Sequence, residues 1–276
     1  MFDKVSRSWE LVKASASVLR SDKELMLFPV ISGLVTLVVA ATFLVPAIAL
    51  KLFANGVGVG GVLLGFLFYF VQYSIIIFFN CALVGAAMIR LDGGDPTLAD
   101  GLRAARARIP SILGYAAIAA TVGVLLQGLK NKDNFLVRVM ASALGAAWTL
   151  ATFLVVPVLV SRDVGPIDAL KQSVALLKRT WGENAVGQMG IGAAFGLITF
   201  GVVVVGVATT VFAAQLSGAL AVLVGALFLL AVLLVGVYQA ALSGIYSAAL
   251  YRYAVSHETP DAFRGADLEH AFLPKD

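Results

Sequence analysis

Groups that ligate metals, move protons or attack carbon are scarce in this sequence. It holds one cysteine, Cys81, and two histidines, His257 and His270. Cys81 lies in an apolar run and both histidines fall in the C-terminal 25 residues, so they build neither a zinc-type ligand set nor an internal disulfide. An enzyme would have to work with Asp92, Asp95, Asp100 or His257, and no nucleophile–base pair accompanies them. The glycines of "GVGVGG" (56–61) meet the spacing of a dinucleotide fingerprint at Gly56, Gly58 and Gly61. That fingerprint needs a strand before it and a helix after it, whereas here it separates two long apolar runs. Gly56/Gly60, Gly61/Gly65 and Gly192/Gly196 read better as small-xxx-small pairs for close helix packing. The expectation is a non-enzymatic protein without cofactor or metal.

The elements that position these residues follow from composition. The chain is 60% hydrophobic and 13% charged, about half the charged fraction of a soluble domain. Its solvent over most of its length is therefore expected to be lipid. Uncharged runs long enough to span a bilayer predict six transmembrane helices, near 26–50, 62–89, 111–129, 139–161, 185–213 and 219–251. The last two come from 68 uncharged residues between Glu183 and Arg252, with a turn at Gln215-Leu216-Ser217-Gly218. The first run, 26 residues between Glu24 and Lys51, exceeds the apolar length of a signal peptide and reads as an uncleaved span. The fold is thus an all-α polytopic bundle: one membrane domain over 1–251 and a cytoplasmic tail over 252–276.

No Asp, Glu, Lys, Arg or His lies within a predicted span, which argues against a proton relay or charge-coupled transport. The few polar residues there include Gln72, Gln127 and Tyr246, with Asn80, Gln188 and Gln239 as the candidate intramembrane contacts. Asn80 falls about 15 Å from the cytoplasmic end at 1.5 Å per residue, near mid-bilayer. Helix-to-helix hydrogen bonding is the plain reading, and a polar lining for a ligand is the sharper one. Pro29, Pro46 and Pro157 lie near span ends and are read as structural.

Sixteen of the twenty Lys and Arg residues fall in alternate segments: 1–24, 90–110, 162–183 and 252–276. The positive-inside bias then puts both termini in the cytoplasm, and an even span count agrees. Three of those segments carry an apolar stripe at helical spacing. Val5, Trp9, Val12, Ala16 and Leu19 are flanked by Lys13 and Arg20. Leu98, Leu102, Ala105 and Ile109 are flanked by Arg103 and Arg106. Ile167, Leu170, Val174, Leu177 and Trp181 are flanked by Lys171 and Lys178. Lys13-x-Ser15-x-x-Val18-Leu19-Arg20 also matches Lys171-x-Ser173-x-x-Leu176-Leu177-Lys178. Each segment leads into two spans, so the chain reads as one unit used three times: amphipathic helix, span, span. These helices suit the headgroup boundary, where the six basic residues and Trp181 would meet lipid. Packing against each other and against span ends is the alternative.

Several stretches occur together in one order: "SWELVKASASVLRSDKELMLFP" (8–29), "GGDPTLADGLRAA" (93–105), "VGPIDALKQSVALLKRTWGE" (164–183), "LYRYAV" (250–255) and "HAFLPKD" (270–276). This order resembles a prokaryotic family of six-span membrane proteins known as a domain of unknown function. The plan is also similar to membrane domains attached to some glycerophosphodiester phosphodiesterases. The resemblance implies a place in a prokaryotic cytoplasmic membrane and brings no activity. Expected partners are membrane lipids and a second membrane protein, in a homo-oligomer or larger assembly, and not nucleic acid. The functional expectation is a scaffold or accessory subunit, with a carrier or channel for a neutral or lipid-like molecule as the alternative.

Overall fold

The computed structural model describes residues 2–49, 58–131, 134–179, 184–256 and 260–263. Among them the chain is helical and has no strand. The helices are α1 (Phe2–Ser21), α2 (Leu27–Ala49), α3 (Val59–Leu91), α4 (Leu98–Arg106), α5 (Ile109–Lys130), α6 (Phe135–Thr152), α7 (Val155–Ser161), α8 (Pro166–Arg179), α9 (Asn184–Leu216) and α10 (Gly218–Ser256). Short 3-10 turns lie at Lys23–Met26 and Asp261–Phe263.

Six helical stretches are long and apolar enough to cross a membrane: Lys23–Ala49, Gly60–Leu91, Ile109–Lys130, Phe135–Ser161, Phe195–Leu216 and Gly218–Ser256. Each overlaps one of the six expected runs. The expected turn between the last two shrinks to Ser217, whose Oγ accepts the Leu220 N–H at 3.0 Å and caps α10. The apolar side chains of these helices point outward: Ile48 is 74% exposed, Leu197 73% and Val222 74%. In water that surface would be a strong liability; against lipid tails it is matched.

The fourth stretch is two helices, α6 and α7, parted at Phe153–Leu154. Pro157 accounts for this. It has no N–H for the carbonyl four residues back, and its ring crowds that carbonyl, which belongs to Phe153.

The core lies at one end. The 33 residues of α3 run about 50 Å at 1.5 Å each, well past a hydrocarbon layer of about 30 Å. Buried residues gather toward its C-terminal end, at 81–87, and toward that of α10, at 241–251. α3, α7 and α10 pack on one another there. A Cβ on Gly244 of α10 would lie 2.4 Å from Leu83 Cδ2 of α3, so a larger residue there would force Leu83 to shift. Farther from that end the α5–α6 and α9–α10 hairpins pack side by side. They leave apolar grooves of about 470 Å³, beside Leu125, Leu126 and Trp148, and about 400 Å³, beside Gly206, Thr210 and Phe228.

The three amphipathic segments are helices that cover the packed end. α4 lies on α3, α8 on α5, α6 and α7, and α1 on α9, α10 and the 261–263 turn. Two expectations are corrected here. In α8 the buried face is Ala169, Ser173 and Leu177, while Ile167, placed on the apolar stripe, is 58% exposed. The face is rotated because it is chosen by backbone fit at a broken helix, and small residues fit closest. In α1 burial extends well beyond the stripe, to Leu11, Ala14, Ser15 and Val18. Lys13, Ser17 and Arg20, spaced four and three, form its exposed line. The small-xxx-small pairs are a third correction: a Cβ on Gly60, Gly65, Gly192 or Gly196 would meet nothing within 4 Å. Gly56 of the glycine run lies outside the described residues, and Gly58 is the N-cap of α3.

Candidate functional site

The charged and hydrogen-bonding groups concentrate at the packed end. α3 and α7 close on Arg90 and Arg162, and Arg252 lies near the end of α10. Ser161 Oγ approaches Met88 Sδ at 3.1 Å, one residue before Arg162 and two before Arg90. Arg252 pairs with Asp92, which ties α10 to the loop after α3. Arg90 donates to the Gly94 carbonyl at 3.2 Å and lies 3.8 Å from Asp95. Arg162 donates from Nε to Tyr251 Oη at 3.1 Å and from Nη1 to Gln172 Oε1 at 2.9 Å. Arg108 pairs with Asp163, and the Ser111 hydroxyl donates to the Val164 carbonyl at 2.9 Å.

The covering helices are fastened by caps and backbone contacts. Thr97 and Asp100 form a capping box at the start of α4, and Thr97 Oγ1 donates to Asp100 at 2.7 Å. These bonds to Thr97 hold the Asp100 carboxyl below its ordinary range. The Leu98 N–H donates to the Glu24 carboxylate at 2.9 Å, joining α4 to the turn before α2. Asp22 caps that turn by accepting the Glu24 N–H, yet burial pushes its carboxyl above the ordinary range.

Ser173 of α8 fills the break in the fourth long stretch. Its hydroxyl donates to the Ala151 carbonyl at 2.7 Å and accepts the Leu154 N–H at 3.1 Å. The side chain thus supplies partners for two groups left by the interrupted helix.

The sequence-predicted residues divide clearly. Lys13, Arg20, Arg103, Arg106, Lys171 and Lys178 are all exposed on the covering helices. Arg103 pairs with Asp100 at 3.0 Å and Lys171 with Asp168 at 3.4 Å, both three residues apart. Trp181 lies outside the described residues. Of the intramembrane set, Asn80 and Gln239 are half-buried without a hydrogen bond among the described residues, and the Gln188 side chain is not described. The expected helix-to-helix bond is made by Gln72, whose Nε2 donates to the Thr36 carbonyl of α2 at 3.2 Å. The contacts of Arg162, Tyr251, Gln172 and Ser173 had no signal in spacing, because 79 residues separate Gln172 from Tyr251. The only trace was a basic residue at the end of three alternate apolar runs.

Residues 59–261 match a family of unknown function, DUF6159. The chain belongs to that family. The DUF6159 match runs from the opening of α3 to the turn after α10 and takes in α4, α8 and all three arginine-bearing ends. It carries no link to glycerophosphodiester phosphodiesterases. No curated protein matches the chain.

Proposed function

We propose that this DUF6159 chain is a non-enzymatic integral membrane protein of six spans, acting as a scaffold or accessory subunit in a prokaryotic cytoplasmic membrane. The observation that carries this reading is the filled centre. Where α3, α7 and α10 meet, Ala82, Leu83, Ala86, Val158, Leu242 and Ile245 are at most 1% exposed. A channel would need a lined passage there. Sixteen of the twenty basic residues fall in the alternate segments that include both termini, which supports cytoplasmic termini.

A threefold unit is part of the proposal, and packing and sequence both favour it. The units are α1–α3, α4–α7 and α8–α10. Each leading helix lies on the second span of the unit before it: α4 on α3, α8 on α6 and α7, and α1 on α10. One pattern recurs in the leading helices: Glu10-Leu11-Val12-Lys13-Ala14-Ser15, Asp100-Gly101-Leu102-Arg103-Ala104-Ala105 and Asp168-Ala169-Leu170-Lys171-Gln172-Ser173. Its second and sixth positions are buried in all three helices, and its fourth is an exposed base.

The two apolar grooves favour a second reading, a carrier for a lipid-like molecule. Their volumes fall within the roughly 300–1,000 Å³ of small-molecule sites. Purified protein in liposomes separates the two. The scaffold reading expects no movement of fluorescent lipid between leaflets and a defined homo-oligomer or complex in native lipid. Lipid movement above empty liposomes, from a monomer, would replace it with the carrier.

A further inference from the structure

Arg162 differs from Arg90 and Arg252, the arginines at the ends of α3 and α10. Arg252 has Asp92 and Arg90 has Asp95, whereas the partners of Arg162, Tyr251 and Gln172, are neutral. The adjacent Asp163 is held by Arg108. A guanidinium donates from five N–H groups and accepts nothing. The Gln172 amide must therefore turn its oxygen to Arg162, and the Tyr251 oxygen does the same. Both partners have used acceptors and keep donors: a phenol O–H and an amide NH₂. Among the described residues neither of these donors has an acceptor. Tyr251 is 6% exposed, so the cluster is anchored in the packed end, while Arg162 opens to the surface.

A full positive charge beside donors without an acceptor is matched by an oxyanion. We infer that Arg162, Tyr251 and Gln172 form a binding site for a phosphate oxyanion at the basic end of the central helices. The planar guanidinium fork fits phosphate oxygens. Two sources share this chemistry, the headgroup of an anionic lipid and free phosphate. The lipid source rests on the six-span reading proposed above, while the free-phosphate source does not.

Gln172→Glu tests the site with little risk to folding, because it sets a carboxylate against Arg162 and supplies the anion from within. Full-length protein is purified with phosphatidylglycerol and phosphatidylcholine in equal amounts, and bound lipid is counted by native mass spectrometry. Retained phosphatidylglycerol should fall about fivefold, the loss of one basic contact at an anionic surface, with phosphatidylcholine unchanged. Arg162→Gln should do the same. A second arm titrates inorganic phosphate against chloride at matched ionic strength and reads the unfolding midpoint. A rise in wild type that is absent from Gln172→Glu identifies free phosphate as ligand; loss of phosphatidylglycerol without that response identifies the headgroup. Unchanged lipid and unchanged phosphate response in both variants overturn the site. Loss of lipid only in Lys171→Gln with Lys178→Gln also overturns it, and assigns the lipid to the covering helices instead.

Discussion

Ser15 and Ser173 occupy the same place in the recurring pattern, and both are fully buried. Their surroundings differ. Ser173 bonds both sides of the broken helix, whereas Ser15 Oγ has no partner among the described residues. Ser173→Ala strands the Leu154 N–H in a buried place, at a cost of about 1–3 kcal/mol. Ser15→Ala removes an unsatisfied hydroxyl and should be neutral or stabilising. Unfolding midpoints of the two variants in one detergent check this, and equal destabilisation would sink the assignment. Asp22 gives a pH test. Its folded carboxyl lies above the ordinary range because it is desolvated. The protonated form is therefore favoured by folding: that stability is complete below the unfolded pKa and is lost as pH rises through the folded one. Asp22→Asn keeps an acceptor for the Glu24 N–H and removes the charge. It should raise the midpoint at pH 7, and the gain should vanish near pH 3. A gain that persists at pH 3 would falsify the desolvation account.

At the scale of the helix, close approach decides which segments stay docked. A Cβ on Gly101 of α4 would lie 2.4 Å from Phe28 Cζ and 2.6 Å from the Ala82 carbonyl oxygen. The carbonyl belongs to a helix and cannot yield, so Gly101→Ala should destabilise by about 1–3 kcal/mol through overpacking. Gly33→Ala meets nothing within 4 Å and should gain about 0.5–1 kcal/mol of helix propensity. The opposite signs are read from denaturant midpoints; a gain at both glycines would show that α4 is loosely seated. The same contrast marks what the sequence could tell. The long helices were legible because a bilayer demands about 20 uncharged residues in a row, and the turn at Ser217 was legible from its polar residues. The buried face of α8 was not. A stripe count scores Ile167 as inward and Ser173 as neutral, but Ser173 is buried by backbone bonds that exist only because Pro157 breaks a different helix. The Arg162 cluster was illegible for the same reason: its members meet only after α7, α8 and α10 have packed.

Taken as a whole molecule, the chain closes on itself, since α1 lies on α10 and on the 261–263 turn. Contact between the first helix and the last turn requires both to sit on one face, and an even number of crossings follows without counting charges. In the proposed topology that face is the cytoplasmic one, on the charge bias. Asn131 and Lys171 test both arguments together. Asn131 follows α5, Lys171 lies in α8, and each is exposed. An odd number of crossings, the one made by α6 and α7, separates them. The native Cys81 is 0% exposed and should stay silent toward a membrane-impermeant maleimide. In intact cells Asn131→Cys should label from outside, and Lys171→Cys should label only after the membrane is opened. Reversed labelling would leave six spans in place and overturn the cytoplasmic termini. Labelling of both from outside would overturn the six-span reading itself, because α6 and α7 would then not cross.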